Sequence, residues 1–260
     1  MNDLKPVTSN RLPELETVPK PIALMETVTL VSLVTGIASL VLLAWIAGSL
    51  SRAWVRNFDF SIRNNVHEYA TPTLTKWMIW ISFVGGDGLV AAAILSVTLF
   101  LAFRWRRAAV WMLVNISGTL ILDLTLKYSF ARLRPTPFFV PTPRTPSFPS
   151  GHSLFSFCFY GVLAGLLADR IDSRRWQVLI WAVAALLVGA IGLSRIYLGV
   201  HYPSDVVAGY LTGTLWVSTM VALDRMRKQT RAIHGRESDL ACQRAFTGAP
   251  SSPRIPQYSI

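Results

Sequence analysis

The chain has 260 residues, of which 52% are hydrophobic and only 15% are charged, so it lacks the polar surface that a soluble domain of this size needs. Lysine and arginine together number 25 against 14 acidic residues, which gives a formal net charge of +11. These basic residues flank apolar runs and belong to no folded soluble module, which argues against nucleic-acid binding and favours anionic lipid headgroups as the counter-charge. The composition therefore indicates an integral membrane protein.

Apolar, nearly uncharged runs predict the transmembrane helices, because a bilayer core needs about 20 helical residues. The runs cover residues 28–50, 88–103, 108–126, 153–168, 176–194 and 206–223. We therefore predict an all-α fold, a six-transmembrane-helix bundle with an interfacial helical segment between the first two spans. The start of the second span stays open, since residues 77–84 are also apolar and the glycine-rich sequence 85–88 separates them from the next run.

The connection between the first two runs contains an aromatic cluster: Trp54, Phe58, Phe60 and Tyr69. Such residues favour the membrane interface, either as an ordinary aromatic belt or as a helix beside a path for lipid entry. The first run is too long for a signal peptide and is interpreted as a retained span. Cys158 and Cys242 lie far apart without metal-type spacing, so neither a disulfide nor a zinc site is expected.

Lysines and arginines are more frequent on the side that holds both termini, which predicts that the termini are cytoplasmic. We expect a cytoplasmic N-terminal tail at residues 1–27, a membrane domain at 28–223 and a basic cytoplasmic tail without regular structure at 224–260. On this plan the protein is a multi-pass protein of the inner (plasma) membrane. The polar segments described next face the outside.

The first polar segment joins the third and fourth runs and contains Lys127 and Arg134. Taken singly, each cation is also explained by snorkelling at a helix end. The prolines that follow make an extended, stiff loop suited to a wall over a site; they are Pro135, Pro137, Pro141, Pro143, Pro146 and Pro149.

The second segment, Ser150-Gly151-His152, opens the fourth run. A helix start presents free backbone N–H groups and the positive end of the helix dipole, and glycine there permits close approach of a ligand. Ser150 is equally explained as a simple N-cap. His152, immediately inside the helix, favours an anion site.

The third segment contains Ser194, Arg195, His201 and Asp205. If the sixth helix begins near His201, then His201 and Asp205 lie on one helical face, four residues apart. A carboxylate bonded to one imidazole nitrogen fixes the tautomer and leaves the other nitrogen free to attack, so His201 is the predicted nucleophile. Taken alone, a histidine at a helix end is explained equally by a structural role, and an aspartate four residues later by a capping contact.

These three segments resemble the signature of the type 2 phosphatidic acid phosphatase superfamily, Lys-x6-Arg-Pro, Pro-Ser-Gly-His and Ser-Arg-x5-His-x3-Asp, with every position matched. The resemblance implies a lipid phosphatase without metal or other cofactor, in which His201 attacks phosphorus and Asp205 orients it. It also implies that His152 protonates the departing oxygen and then activates water. The phosphate would be held by Lys127, Arg134, Ser150, Gly151, Ser194 and Arg195.

The resemblance leaves three lipid classes open: undecaprenyl pyrophosphate, which we rank first together with a broad range of lipid phosphates, phosphatidylglycerol phosphate and phosphatidic acid. The expected partners are the lipid phosphate and the bilayer, without nucleic acid or an obligate protein partner. A lipid-linked phosphotransferase would use the same site. A non-catalytic lipid transporter or scaffold would use the basic residues and Asp123 for binding and would not need His201.

Overall fold

The computed structural model describes residues 20–247, and within this range the chain forms eight α-helices. They are α1 (Lys20–Ser49), α2 (Ala53–Glu68), α3 (Pro72–Val84), α4 (Asp87–Ala102), α5 (Arg106–Phe130), α6 (Gly151–Ala168), α7 (Arg174–Tyr197) and α8 (Pro203–Thr247). Six stretches of the described residues are long and apolar enough to cross a membrane, and α3 and α4 together form the second of them, Pro72–Ala102. The predicted all-α, six-span fold is therefore confirmed.

Residues 32–221 form one compact unit, and this unit contains every predicted site residue. Within it, α6 packs against α5 and α7, and α3 packs against α7. Helix α5 ends, α6 begins, α7 ends and α8 begins at the same end of the unit, because the polar segments connect these helices there. Of the described residues, 20–31 and 222–247 form a second unit.

Helix α2 is the segment between the first two spans, and it buries two charged side chains while it exposes aromatic ones. Its buried side includes Asp59 and Arg63, while Trp54 and Phe58 are about half exposed. An outward aromatic face is stable in lipid but not in water, so the geometry fits a helix lying at the bilayer interface.

The glycine pair between α3 and α4 explains the break that leaves the start of the second span open in the sequence. A Cβ atom on Gly85 would overlap the Ile191 side chain, and one on Gly86 would lie 2.8 Å from His152 Nε2. The pair lets the backbone between α3 and α4 contact α7 and the start of α6. Residues 77–84 thus form the first part of the second span.

Helix α8 continues to Thr247, whereas the sequence predicts a tail without regular structure from residue 224. The segment is rich in arginine, lysine, glutamine and alanine, which favour helix, and Lys228 pairs with Asp224 at 2.7 Å across one turn. These local preferences outweigh the low hydrophobicity on which the prediction rested. The expected tails at 1–19 and 248–260 lie outside the described residues.

Candidate active site

The three polar segments meet at the end of the bundle where α5 and α7 end and α6 and α8 begin. His152 lies within electrostatic range of Lys127, Arg134, Arg195 and His201. A backbone hydrogen bond of 2.9 Å from the Ser150 amide to the Asp205 carbonyl joins the second segment directly to the third. Residues of all three polar segments therefore lie close together around His152.

His201 lies in the turn before α8, and its two ring nitrogens have different neighbours. The helix begins at Pro203, two residues after His201, so the condition for a shared helical face of His201 and Asp205 is not met. The turn still brings them together, with Nδ1 3.5 Å from Asp205 Oδ2, which is longer than a well-formed hydrogen bond. On the other side, Nε2 lies 2.9 Å from Arg134 NH1.

These contacts select one tautomer of His201. A guanidinium has only N–H donors, so Nε2 must accept the hydrogen bond from Arg134 and carries the lone pair. The proton of the neutral ring then lies on Nδ1, towards Asp205. Burial lowers the pKa of His201 to about 4, although Asp205 acts to raise it. The ring is therefore neutral at pH 7, with its nucleophilic nitrogen towards Arg134.

The tautomer and the lowered pKa can be measured on protein labelled with nitrogen-15 at its four histidines. We expect the His201 signals, assigned by their loss in His201→Gln, to show a proton on Nδ1 and none on Nε2 at pH 7. Because burial lowers the pKa of His201 to about 4, these signals should titrate near pH 4. A midpoint near pH 6.5, or a proton on Nε2, would contradict the assignment.

Asp205 is completely buried at the start of α8, and each carboxylate oxygen has partners. Oδ1 accepts a hydrogen bond of 2.5 Å from Arg132 NH1. Oδ2 accepts a bond from the Ser147 hydroxyl and one of 2.9 Å from the Tyr202 amide, and it is also the oxygen nearest to His201. A buried carboxylate with this many donors stays ionised and fixed in orientation.

The charges of Arg134 and Arg195 both act on His201, and the two residues differ in how many of their donors are occupied. All five N–H groups of Arg134 are engaged, four with Thr145, Pro146 and Val200 and one with His201. Arg195 bonds to the Ser82 hydroxyl, while its buried Nε has no partner in the described part of the chain. Arg195 is thus the cation with donors still available to a ligand.

The side chain of Lys127 contacts Gly151, the first residue of α6. Its ammonium group is 2.7 Å from Asp123 Oδ2 and would be 2.8 Å from a Cβ on Gly151. Any side chain at position 151 would displace the ammonium group, which explains a glycine here. Asp123 Oδ1 has no hydrogen-bond partner within residues 20–247. Asp123, which the sequence marked only as a charged residue inside a span, thus holds Lys127 beside the helix start.

The start of α6 presents backbone amides to the same space. Ser150 occupies the N-cap position but makes no side-chain capping bond; its hydroxyl accepts a bond of 3.1 Å from Ser153 instead. The simple N-cap interpretation of Ser150 therefore does not account for its hydroxyl. First-turn amides have no acceptor within their own helix, so this helix start can receive an anion.

Ser194 is the one predicted phosphate contact that the geometry does not favour. Its buried hydroxyl donates a hydrogen bond of 2.6 Å to the Ile191 carbonyl of its own helix. The donor is therefore occupied within α7, and Ser194 leaves the set of groups available to a ligand. The neighbouring Arg195 remains in that set.

Several residues at the site carry no signal in the sequence pattern. Arg132 binds Asp205 and also Asp59, which lies 73 residues earlier on α2, and Ser147 binds Asp205 from the proline-rich loop. Ser82 and Gly86 contact Arg195 and His152 from the junction of α3 and α4. Only the glycine-rich break at 85–88 could have pointed to part of this set.

Two guanidinium groups near His201, those of Arg134 and Arg195, have no acidic partner among the described residues. Within residues 20–247, neither Arg134 nor Arg195 forms an ion pair, whereas Lys127 pairs with Asp123. Burial lowers the pKa of Arg134, against the attraction of Asp205 and Asp123. Arg195 is buried and Arg134 is half-buried, and cations removed from water are normally paired or bind a ligand. The site therefore suits an anion with several oxygens beside a neutral nucleophilic imidazole.

Comparison with known proteins gives matches over the same region. The PAP2 superfamily model matches residues 108–229, which include all three polar segments. The chain is 31% identical over 167 residues to an undecaprenyl-diphosphatase of Sulfolobus acidocaldarius, covering 62% of this chain and 75% of that protein. It is 26% identical over 190 residues to phosphatidylglycerophosphatase B of Bacillus subtilis, covering 72% and 93%.

A solved structure shares the fold. It is the crystal structure of a transmembrane PAP2-type phosphatidylglycerolphosphate phosphatase from Bacillus subtilis, which superposes with a TM-score of 0.68 at 24% identity. The match covers 74% of this chain and 96% of the other. The six-span helical architecture therefore occurs in an experimentally determined membrane phosphatase.

Proposed function

The chain belongs to the PAP2 superfamily and is a lipid phosphatase of the membrane, and from this premise we propose that it hydrolyses a lipid phosphate through a phosphohistidine at His201. The observation that carries the proposal is a pair of guanidinium groups without acidic partners among the described residues, the half-buried Arg134 and the buried Arg195. Arg134 donates to Nε2 of His201, and the charges of both arginines act on this ring. The arrangement offers a nucleophile and cations for the phosphate oxygens. No metal ion is needed for either task.

In the first step, Nε2 of His201 attacks phosphorus in line with the departing lipid oxygen. A P–N bond forms, the P–O bond breaks, and His152 donates its proton to the departing oxygen. Asp205 holds the imidazolium that results. Arg134 donates to Nε2 in the ligand-free geometry, so NH1 must pass from Nε2 to a phosphate oxygen as the substrate enters.

In the second step, His152 removes a proton from water and the water oxygen attacks phosphorus. The P–N bond breaks, inorganic phosphate is released, and His201 returns to its neutral form. Arg134, Arg195, Lys127, the Ser150 hydroxyl and the Gly151 amide hold the non-bridging oxygens in both steps. The phosphate itself favours the charged form of His152 before the first transfer.

We propose that the substrate is undecaprenyl pyrophosphate or a broad range of lipid phosphates, including phosphatidylglycerol phosphate and phosphatidic acid. The support is the identity to a protein named undecaprenyl-diphosphatase and to one named phosphatidylglycerophosphatase B. A site at the end of an apolar bundle also fits a phosphate at headgroup depth, with its chains left in the membrane.

We propose that the protein lies in the plasma membrane, and the distribution of lysine and arginine supports cytoplasmic termini. All the site segments lie at the opposite end of the spans from the basic loops at 104–107 and 170–175. The active site then faces the periplasm or the cell exterior. This orientation gives the enzyme access to lipid phosphates of the outer leaflet.

The proposal is tested by phosphate release from purified protein in detergent, with the three lipids offered separately and EDTA present. We expect release from at least the pyrophosphate lipid, unchanged by EDTA and inhibited by vanadate, because fixed cations do the work of a metal. Strong inhibition by EDTA that is reversed by a divalent cation would contradict the mechanism. Release that required an added acceptor would identify a phosphotransferase instead.

A further inference from the structure

Arg132 lies two residues before the arginine of the first signature segment and binds two buried carboxylates at once. NH1 donates hydrogen bonds of 2.5 Å to Asp205 Oδ1 and 2.8 Å to the Ser204 hydroxyl, and NH2 donates one of 2.8 Å to Asp59 Oδ2. Its guanidinium carbon lies 4.2 Å from the centre of the Tyr202 ring. The planar group is therefore fixed by two charges and an aromatic face.

Asp59 anchors the same cluster from the interfacial helix α2. Its side chain is fully buried, and besides Arg132 it accepts a bond of 2.9 Å from the Ser204 amide and one of 2.7 Å from the Ser204 hydroxyl. Ser204 immediately precedes Asp205 at the start of α8. Asp59 thus fixes both the backbone beside Asp205 and the arginine that binds its side chain.

The two oxygens of Asp205 consequently have separate tasks. Arg132 occupies Oδ1, which leaves Oδ2 as the oxygen towards His201 Nδ1. Rotation of the carboxylate would break the charged bond to Arg132, a contact roughly twice as strong as one between neutral groups. Ser147 and Tyr202 hold Oδ2, and a cation that the signature does not include holds Oδ1.

We propose that Arg132 and Asp59 are positioning residues for the reaction: together they hold Asp205 in the orientation that keeps the His201 proton on Nδ1 and its lone pair on Nε2. The inference rests on the proposed function, because it assigns a task relative to the nucleophile His201. It adds α2 to the elements that build the active site.

A direct phosphate contact is the competing role for Arg132, and its geometry argues against it. Both terminal nitrogens are engaged by carboxylates, and the guanidinium face is covered by Tyr202. Loss of a phosphate contact would weaken substrate binding, whereas loss of a positioning contact slows the chemical step. The two roles therefore predict different kinetic effects.

The test compares Arg132→Gln with the wild type in phosphate release from the lipid that the wild type hydrolyses. We expect kcat to fall about 10²-fold with KM changed less than about threefold. A misplaced Asp205 slows the chemical step, because it no longer orients His201, but it leaves substrate binding unchanged. In the nitrogen-15 spectrum, the Nδ1 proton signal of His201 should shift or broaden. A raised KM with unchanged kcat would overturn the proposal.

Arg63→Gln is the matched control. Arg63 lies one turn beyond Asp59 on the buried side of α2 and binds the Thr136 carbonyl and the Phe138 ring, with no contact to Asp205. This variant removes a buried arginine from α2 without removing a contact to Asp205, so we expect its kcat to stay within about threefold of the wild type. An equal loss in both variants would mean that Arg132 only supports the fold.

Asp59→Asn and Arg132→Lys keep the test informative if Arg132→Gln does not fold. The asparagine preserves shape and one acceptor, so we expect roughly a tenfold loss of kcat. Lysine retains the charge but cannot bridge two carboxylates, so it should restore activity only in part. Wild-type kcat in both variants would overturn the proposal, while an active His201→Gln enzyme would instead remove the proposed function on which it rests.

Discussion

Replacing His201 with glutamine should reduce phosphate release by on the order of 10⁴-fold or more, because the side chain that forms the bond to phosphorus is gone. Glutamine keeps a polar group of similar length, so the buried pocket is not left empty. The measurement is kcat on the lipid that the wild type hydrolyses, in detergent with EDTA. Retained binding of the lipid alongside lost turnover would locate the defect in chemistry.

His234→Gln provides the same substitution at an exposed histidine of α8 and should behave like the wild type. If His201→Gln instead released phosphate at a rate near that of the wild type, the phosphohistidine mechanism would be excluded. If the His201→Gln variant also restored growth of a cell that lacks this enzyme, the protein would be acting as a lipid transporter or scaffold.

Replacing His152 with alanine should cost about 10² to 10⁴-fold with a lipid substrate, which is less than the loss of His201. His152 is needed to protonate a poor leaving group and later to activate water. An aryl phosphate with a good leaving group needs no proton in the first step. With that substrate, His152→Ala should form the phosphoenzyme rapidly and then hydrolyse it slowly.

The measurement is the amount of labelled phosphoenzyme after rapid mixing, followed by the rate at which the label is lost. The variant should accumulate more phosphoenzyme than the wild type. Equal losses of rate with lipid and aryl substrates, with no accumulated intermediate, would show that His152 has a role other than acid and base. Gly86, whose backbone lies against His152, offers no side chain that could replace it.

The sequence predicted the number of spans and the meeting of three polar segments because both depend on local pattern. Apolar runs of about 20 residues predict helices that cross a bilayer, whatever else the chain contains. Lys127, Arg134, His152 and Arg195 were placed together because each lies at the same end of a predicted span. The structure agrees on these points.

The turn at His201 was not predicted, because helix periodicity says nothing about a histidine that precedes the helix. Gly199 adopts a φ of +74°, and the turn it starts brings His201 towards Asp205 without a shared helical face. The signature alone predicts Ser194 as a phosphate contact, and no sequence pattern indicates the hydrogen bond from its hydroxyl to the Ile191 carbonyl.

The contact between Arg132 and Asp59 joins residues 73 positions apart, and no local pattern encodes such a pairing. The aromatic residues of α2 predict which side of the helix faces lipid. The sequence does not predict the partners of the charged residues on its other side. Long-range ion pairs of this kind follow from the packing of α2 against the loop and α8, which sequence periodicity cannot supply.

The central claim is a covalent bond between His201 Nε2 and phosphorus, and trapping that bond is its most direct test. His152→Ala protein is mixed with a phosphorus-labelled aryl phosphate, quenched in alkali, digested and analysed by mass spectrometry. We predict an acid-labile phosphoryl group on the peptide that contains His201, absent when His201→Gln is added to the variant. Label on any other residue, or turnover of the aryl phosphate without label on His201, would contradict the claim.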